Sequence, residues 1–428
     1  MPSGKTSRII AAGAVGNILE WYDFAVYGYF AAAIGRAFFP SEDKVAQVLA
    51  AFGIFAVGFL MRPIGGALIG LVGDRLGRRA ALTLSVAAMA IPTFLFGVLP
   101  GYHTLGLAAP VLLTLLRMVQ GLSVGGEYTT SIVFMVENAK PGERGLIGAV
   151  GSCGAVGGIL LGSATGAVLA SVMTEAALEA WGWRIPFVLG LLVGLAGLFL
   201  RRGIHEEAKA KKPGPSPLRA ALRDHRPLVL RLAALSVFNS VGFYLMFVYI
   251  VSWLQLADGV APARALGINT ISMVLLLPLM IGVGLLSDRI GRRPLMLAAT
   301  GFAIVTAWPL FWLMHSAEPA LVLLGQLGFV LSVGTFIGAQ PALMVESVPA
   351  EVRCTAIALG YNVTLGVVGG LSPLIATWLV ERTANDYSPA FLIMAAAAIS
   401  FAALLFFRET FRAPLGMAPE VPRNITPA

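Results

Sequence analysis

A charged ten-residue segment that lies between two long apolar runs occurs twice in this chain. Residues 70–79 read GLVGDRLGRR and residues 284–293 read GLLSDRIGRR, so that Asp74 corresponds to Asp288. The two aspartates are 288 − 74 = 214 residues apart, which is half of the 428-residue chain. A duplicated set of membrane helices joined by matching basic turns is typical of transporters built from two halves. The repeat therefore predicts two halves of similar structure.

The composition indicates a membrane protein. Hydrophobic residues make up 57% of the chain and charged residues only 12%, against about 25% charged residues in average soluble proteins. Because roughly 20 mostly apolar residues cross a bilayer, we predict an all-α fold of twelve transmembrane helices in two pseudo-symmetric halves of six. The predicted spans, numbered 1 to 12, lie near 9–35, 46–72, 79–99, 107–137, 145–171, 183–202, 228–256, 266–287, 294–314, 319–345, 354–380 and 387–408.

The segment between spans 6 and 7 interrupts the apolar pattern. It is rich in lysine, arginine and proline, as in Lys211, Lys212 and Pro213. We interpret residues 203–226 as a linker. The predicted domains are therefore an N-terminal six-helix bundle over 1–202 and a C-terminal six-helix bundle with a short tail over 227–428.

Basic residues predict the orientation of the chain in the membrane. Lysine and arginine collect in the termini, the linker and the repeated loops, and are scarce in the alternate loops. Cytoplasmic loops carry this excess, so both termini, the linker and both repeated loops are predicted to be cytoplasmic in a bacterial inner membrane. The net charge of +8 thus belongs to short loops, and we expect the lipid bilayer rather than nucleic acid as a partner.

The chemistry-bearing residues give no sign of an enzyme. Cys153 and Cys354 lie in apolar segments without disulfide or metal-ligand spacing. We predict no metal, no cofactor and no catalytic group. The expected ligands are protons and a small organic anion or zwitterion, and we expect the chain to act as a monomer.

Acid–base pairs follow span 4 and span 10 at the same spacing. Glu137 precedes Arg144 by seven residues, and Glu346 precedes Arg353 by seven, each time with a proline between them. Together with the repeated loops they form the candidate gate that would hold the halves together at the cytoplasmic side. The alternative is that these charges only set topology and cap helices. The candidate gate residues are Asp74, Arg75, Arg78, Glu137, Arg144, Asp288, Arg289, Arg292, Glu346 and Arg353.

Five ionisable residues lie inside predicted spans of the first half. Glu20 and Asp23 share a face of span 1 because they are three residues apart. A charge within a bilayer costs several kcal/mol, so it marks a functional candidate. The predicted proton-coupling residues are Asp23, Glu20, Arg117 and Glu127, and Arg62, Arg117 or both would neutralise a substrate carboxylate. The alternative is that paired charges lock spans 1, 2 and 4, with Glu127 near the cytoplasmic end.

The second half offers neutral polar and aromatic residues instead, among them Asn239 and Gln326. This asymmetry predicts proton chemistry in the first half and neutral contacts with substrate in the second. Each aromatic residue taken alone is better explained by packing or by a membrane-interface belt than by contact with substrate. The candidate substrate-binding residues are Asn17, Glu20, Tyr27, Arg62, Arg117, Tyr244, Tyr249, Gln340, Tyr361 and Asn362.

Several motifs resemble those of one transporter superfamily. The loop over 73–79 resembles the loop motif between helices 2 and 3 of the major facilitator superfamily, and residues 117–121 resemble its helix-4 motif. Within that superfamily the chain resembles the metabolite:proton symporter family, and the resemblance covers nearly the whole chain. The segments that carry this resemblance are 16–24, 58–65, 121–128 and 181–187.

The resemblance implies proton symport of a small polar metabolite by alternating access. Asp23 and Arg117 match the helix-1 acid and helix-4 arginine that related sugar porters pair for proton coupling. Substrates in the family include citrate, 2-oxoglutarate, shikimate, proline and glycine betaine. The preferred prediction is symport of a small mono-, di- or tricarboxylate. A zwitterionic osmolyte carrier is the alternative, and a proton-driven efflux antiporter is a third possibility.

Overall fold

A computed structural model describes residues 18, 20–65, 68–69, 72, 78–123, 127–201, 221, 223–413 and 415. Its regular secondary structure over these residues is helical. Among them, nine helices are long and apolar enough to cross a membrane, and the other spans are shorter within the described residues. The predicted all-α, twelve-span fold is confirmed.

The first half contains six spans, and their described ends agree with the predicted positions to within a few residues, whereas residues 9–17 of predicted span 1 lie outside the described residues. Two short helices, Tyr102–Leu105 and Glu175–Ala180, lie in its loops. Span 1 is helical over 20–29 and Ala31–Phe38, span 2 over Lys44–Leu60 with a continuation to Gly65, span 3 over Arg78–Val98, span 4 over Ala108–Ser123 and Glu127–Glu137, span 5 over Arg144–Val172, and span 6 over Ile185–Arg201 after a 3₁₀ turn at Gly182–Arg184.

The second half contains six further spans, two of which include a turn of π-helix. Span 7 comprises Arg226–Tyr244, the π-turn Leu245–Tyr249 and Ile250–Ala257. Span 11 comprises Arg353–Thr364, the π-turn Leu365–Gly369 and Gly370–Thr383. The remaining spans are Pro262–Ile290 (span 8), Arg292–Met314 (span 9), Pro319–Glu346 (span 10) and Ser388–Leu405 (span 12).

Local sequence explains where several spans begin and end. The Asp43 side chain accepts hydrogen bonds from the amides of Val45 (2.8 Å) and Ala46 (3.4 Å) at the start of span 2, which satisfies donors that the helix leaves open. Between spans 8 and 9 the backbone of Gly291 has φ of 104°, which is open to glycine and costly for other residues. The glycine in the repeated loop is thus explained by the sharp turn between the two helices.

The two halves contact each other chiefly where span 5 packs on span 8 and span 2 packs on span 11. Small residues permit the close approach, because Gly284 of span 8 lies against the backbone of Gly145 and the side chain of Ala149 in span 5. Span 7 is the most enclosed of the nine long apolar helices in the described part of the chain, with 89% of its most apolar segment buried. Its residue Val248 lies against Gly28 of span 1, so span 7 takes part in the interface between the halves.

The predicted linker 203–226 lies almost wholly outside the described residues, and the predicted domain boundaries remain a prediction. Asn17, Asp74 and Arg75 also lie outside the described residues. Arg78 and Glu127 belong to described helices, but their side chains are outside the description.

Candidate functional site

A fully buried carboxylate of span 1 lies against spans 3 and 4. Asp23 has no solvent exposure, and its Oδ2 is paired with Nη1 of Arg117. Its Oδ1 accepts hydrogen bonds from Thr93 Oγ1 (2.8 Å) and Gln120 Nε2 (2.9 Å). Arg117 also donates from Nη1 to Gln120 Oε1 (2.8 Å), and its guanidinium carbon lies 4.0 Å from the centre of the Tyr27 ring. The buried carboxylate thus has donors on both oxygens.

A second acid–base pair joins span 1 to span 2. Glu20 is paired with Nη2 of Arg62, and both side chains are buried. The Arg62 guanidinium carbon lies 5.0 Å from the Phe59 ring centre and 5.5 Å from that of Trp21. Its Nε and Nη1 have no hydrogen-bond partner among the described residues. Glu20, Asp23, Arg62 and Arg117 therefore form two separate ion pairs.

Aromatic residues from both halves connect the Arg62 pair with the centre of the molecule. Tyr244 of span 7 stacks on Trp21 with ring centres 6.4 Å apart, and its hydroxyl lies beside Arg62 and Glu20. Tyr128 of span 4 lies edge-on to Trp21 at 6.3 Å and stacks on Tyr361 of span 11 at 5.3 Å. A row of four aromatic rings therefore crosses the interface between the halves.

A central cavity lies beside this aromatic row. The volume that water can occupy in it is about 20 Å³, which is room for a single water molecule. Its lining contains no charged side chain and is formed by Trp21, Tyr128, Ser152, Ala155, Val156, Ile159, Asn239, Phe243, Ile337, Tyr361 and Leu365.

Two amides of the second half place polar atoms next to the cavity. Asn239 donates from Nδ2 to Gln340 Oε1 (2.9 Å) and, more weakly, to the Tyr361 hydroxyl (3.4 Å). Gln340 in turn donates to Ser236 Oγ (3.2 Å). Of the predicted substrate-binding residues in this half, Tyr361 lines the cavity and Gln340 supports its wall through Asn239.

Three other predicted substrate-binding residues lie away from the cavity lining. The Tyr27 hydroxyl donates to the Ala51 carbonyl (2.9 Å) while its ring packs under Arg117. Tyr249 is buried against Phe52, with ring centres 5.9 Å apart. Asn362 is half-buried and has an interaction partner, but it does not border the cavity. These positions agree better with support and packing than with direct contact.

The charges predicted as a gate, as far as their side chains are described, lie at one end of the bundle, and we call it the basic end. Arg353 is paired with Glu137, and Arg144 lies 3.6 Å from Glu346, so each pair joins the two halves. Arg292, which is fully buried, donates from Nη2 to Glu346 (3.1 Å). Arg289 is exposed on the rim of an open cavity of about 620 Å³ at this end.

Asp288 contributes to the same closure by capping a helix of the opposite half. Its two carboxylate oxygens accept hydrogen bonds from the amides of Gly145 (2.8 Å) and Leu146 (3.0 Å) at the start of span 5. Arg292 holds the carboxylate from behind, with Nη2 2.7 Å from Oδ1. A negative charge at a helix N-terminus is favourable, so this contact stabilises the closed basic end.

The segment after span 12 is a part of the basic end that the sequence did not predict. Glu409 accepts hydrogen bonds from the amides of Arg292 (3.1 Å) and Arg293 (2.9 Å) at the start of span 9. Arg144 donates from Nη1 to the Ala413 carbonyl (2.9 Å), which ties this segment to the first half. The only sign in the sequence was Glu409, an acid directly after the last span. Such a residue is equally consistent with a helix cap and with a solvated charge.

The opposite end of the interface is closed by hydrogen bonds between uncharged groups. The sequence analysis did not predict these contacts either. The π-turn of span 7 exposes the Phe247 carbonyl, which accepts from the Tyr29 hydroxyl (2.7 Å) and from Asn269 Nδ2 (3.2 Å). Asn269 also donates to Ser163 Oγ of span 5 (3.1 Å). The described residues thus hold the halves together at both ends.

Two further residues that the sequence did not single out are Thr93 and Gln120. Both are buried, and both contact Asp23 from other spans. A threonine or glutamine in an apolar helix is an ordinary packing residue, and their sequence distances from Asp23 are 70 and 97 residues. Gln120 lies in the helix-4 motif, and this was the only available signal.

Comparison with known proteins places this arrangement among transporters. The family model described as Major Facilitator Superfamily matches residues 13–373. The chain is 34% identical over 440 residues to the glycine betaine/proline/ectoine/pipecolic acid transporter OusA of Dickeya dadantii, covering 99% of this chain and 88% of the relative. It is 34% identical over 441 residues to a proline/betaine transporter of Escherichia coli K12, with the same coverage. These relatives are transporters rather than enzymes.

Solved structures show the same fold. A crystal structure of a D-xylose-proton symporter superposes with a TM-score of 0.76 at 20% identity and covers 98% of this chain and 100% of that one. The proton:xylose symporter XylE bound to 6-bromo-6-deoxy-D-glucose gives a TM-score of 0.75 at 19% identity, covering 97% and 98% of the two chains.

Proposed function

This chain belongs to the Major Facilitator Superfamily, and from that premise we propose that it is a proton-driven symporter of small zwitterions of the proline and betaine class. The relatives at 34% identity are named for such substrates. They support the zwitterion alternative better than the small organic acid that the sequence favoured. The observation that carries the proposal in this chain is a guanidinium with unshared donors next to an uncharged aromatic cavity.

Arg62 supplies the group for the substrate carboxylate. Its Nη2 is paired with Glu20, whereas Nε and Nη1 have no hydrogen-bond partner among the described residues. Charge-assisted hydrogen bonds from a guanidinium to a carboxylate are among the strongest that proteins form. Because Glu20 already balances one positive charge, the pair as a whole suits a neutral zwitterion better than a di- or tricarboxylate.

The aromatic row supplies the surface for the cationic end of the substrate. Trp21 borders both Arg62 and the cavity, and Tyr128 and Tyr361 form the adjacent walls. A quaternary or secondary ammonium group is attracted to the faces of aromatic rings by about 0.5–2 kcal/mol per contact. A molecule with a carboxylate at one end and a cation at the other would therefore span from Arg62 to this wall.

Asp23 is the proton carrier in this proposal. Its ion-pair and hydrogen-bond partners are Arg117, Thr93 and Gln120. Proton and substrate would thus occupy neighbouring but separate sites, the proton within the first half and the substrate at the interface between the halves. The halves would alternate access by rocking. The basic end would be the cytoplasmic gate, and the hydrogen bonds of Tyr29 and Asn269 to the Phe247 carbonyl would be the periplasmic gate.

The test is uptake into proteoliposomes that contain the purified chain. We expect labelled proline and glycine betaine to accumulate under an inward proton gradient, and accumulation to cease when a protonophore removes the gradient. Labelled succinate or citrate should not accumulate. Carboxylate uptake without zwitterion uptake would establish the organic acid alternative, and loss of preloaded substrate driven by the same gradient would establish efflux.

Variants separate the two sites. Asp23→Asn should abolish uphill accumulation, because the amide cannot carry the proton, while exchange of labelled for unlabelled proline continues. Trp21→Leu should weaken betaine binding, whereas Trp183→Leu, a matched change of a buried tryptophan outside the cavity lining, should leave the KM for betaine unchanged. Undiminished uphill uptake by Asp23→Asn would remove Asp23 from the mechanism.

A further inference from the structure

The hydroxyl of Thr93 has two acceptors within reach and one hydrogen to give. Its Oγ1 lies 2.8 Å from Asp23 Oδ1 and 2.7 Å from the carbonyl of Met89, one turn earlier in span 3. A threonine hydroxyl donates one hydrogen bond and accepts two. Its hydrogen must therefore point either to the carboxylate or to its own helix.

The orientation of the Gln120 amide is fixed by its neighbours. Arg117 is a donor only, so the Gln120 oxygen must face it, at 2.8 Å. The amide nitrogen then faces both Asp23 Oδ1 and Thr93 Oγ1, each at 2.9 Å. Gln120 consequently donates to both members of the Asp23–Thr93 pair whichever way the threonine hydrogen points.

We propose that Thr93, oriented by Gln120, is a positioning residue that lets Asp23 gain and lose a proton while the side-chain polar atoms of Asp23, Thr93 and Gln120 all remain hydrogen-bonded. With Asp23 charged, the threonine hydrogen points to the carboxylate. With Asp23 protonated, the new O–H donates to Thr93 Oγ1, whose own hydrogen turns to the Met89 carbonyl. The change of protonation state thus requires rotation of one hydroxyl group and no movement of a helix.

The inference rests on the proposed role of Asp23 in proton coupling. The charged or titratable side chains close to Asp23 in the described region are Arg117 from span 4, and Tyr22 and Tyr27 from span 1 itself. Span 3 contributes only the neutral Thr93. A buried carboxyl group loses free energy of desolvation in any protonation state in which it lacks hydrogen-bond partners. The rotating hydroxyl supplies a partner in both the charged and the protonated state.

The chain contains a matched control for this hydroxyl. Thr300 of span 9 is also fully buried and donates to the carbonyl of a methionine four residues earlier, Met296, at 2.8 Å. The second acceptor within reach of the Thr300 hydroxyl is also a backbone carbonyl, that of Leu297 at 3.2 Å. Thr300→Val therefore removes the same helix bond without removing a partner of a carboxyl group.

The experiment is infrared difference spectroscopy of the full-length protein during a pH titration, with the Asp23 carboxyl band assigned by its absence in Asp23→Asn. Thr93→Val should move the C=O band of the protonated acid to higher frequency, because the acid O–H loses its acceptor. Thr93→Ser should retain the wild-type band, and Thr300→Val should leave it unchanged.

The result that overturns the proposal is a Thr93→Val carboxyl band at the same frequency as that of Thr300→Val, or the absence of a pH-dependent Asp23 carboxyl band in the wild type. Because this readout needs no substrate, it is independent of the identity of the transported molecule. Gradient-driven proline uptake measured on the same preparations shows separately whether the proposed function stands.

Discussion

Arg353 pairs with Glu137 of the opposite half, and not with Glu346, the acid that precedes it by seven residues in its own half. The related pair follows the same rule, since Arg144 lies 3.6 Å from Glu346. The offsets agree, because 346 − 137 and 353 − 144 are both 209 residues. The duplicated acid–base motif therefore exchanges partners across the interface, so opening the basic end must separate both pairs.

We predict that Glu137 and Arg353 are energetically coupled in the closed state. Glu137→Gln and Arg353→Gln should each favour opening of the basic end, by about 1 kcal/mol or five-fold, and the double variant should open little further than Arg353→Gln alone. The measurement is the reactivity of a cysteine placed at Ala155 in the cavity lining, with Cys153 and Cys354 replaced by serine.

A control cycle uses Arg289, which is exposed at the same end. Glu137→Gln combined with Arg289→Gln should give additive changes in the reactivity of this cavity cysteine. Additive changes for the Glu137–Arg353 cycle as well would mean that the cross-half pair does not hold the gate.

Asp288→Asn should favour the state that is open at the basic end. The amide retains one acceptor oxygen but loses the negative charge that binds Arg292 and the amides of Gly145 and Leu146. An impermeant thiol reagent applied from the basic side should label the cavity cysteine several-fold faster, and from the other side more slowly. Equal labelling rates from both sides in wild type and variant would show that this loop only sets topology.

Gly284→Ala should prevent full closure of the basic end. An added Cβ would lie 2.7 Å from Ala149 Cβ and 2.8 Å from the Gly145 carbonyl, closer than atoms can pack. Gly282→Ala is the matched control on the same helix, because nothing lies within 4 Å of its added Cβ. Uptake should fall for Gly284→Ala and remain near wild type for Gly282→Ala, whereas equal uptake by both would argue against close packing of spans 5 and 8 during transport.

Arg117→Lys should transport poorly although it retains the positive charge. Nη1 of the guanidinium serves both Asp23 and Gln120, while its plane packs on the Tyr27 ring. A lysine ammonium is a point charge that does not reproduce this geometry, so we expect at least a ten-fold loss of gradient-driven uptake. Arg264→Lys, at an exposed position, is the control for membrane insertion and should behave as wild type.

Much of the architecture could be predicted because membrane insertion depends on local composition. Apolar runs of bilayer length set the number of spans, and the duplicated loop set the division into halves. The sequence also predicted Glu20, Asp23, Arg62 and Arg117 as functional candidates inside the membrane spans, because charges are rare within apolar runs. These properties need no knowledge of which helices become neighbours.

Tertiary structure alone decided which groups meet. Two acids and two arginines on three spans allow more than one pairing, and only the packing of spans 1, 2 and 4 selects Glu20 with Arg62 and Asp23 with Arg117. Partner exchange between the acid–base motifs likewise depends on how the halves face each other. Hydrogen bonds form within about 3 Å, a distance that no sequence spacing specifies once the chain leaves one helix and enters another.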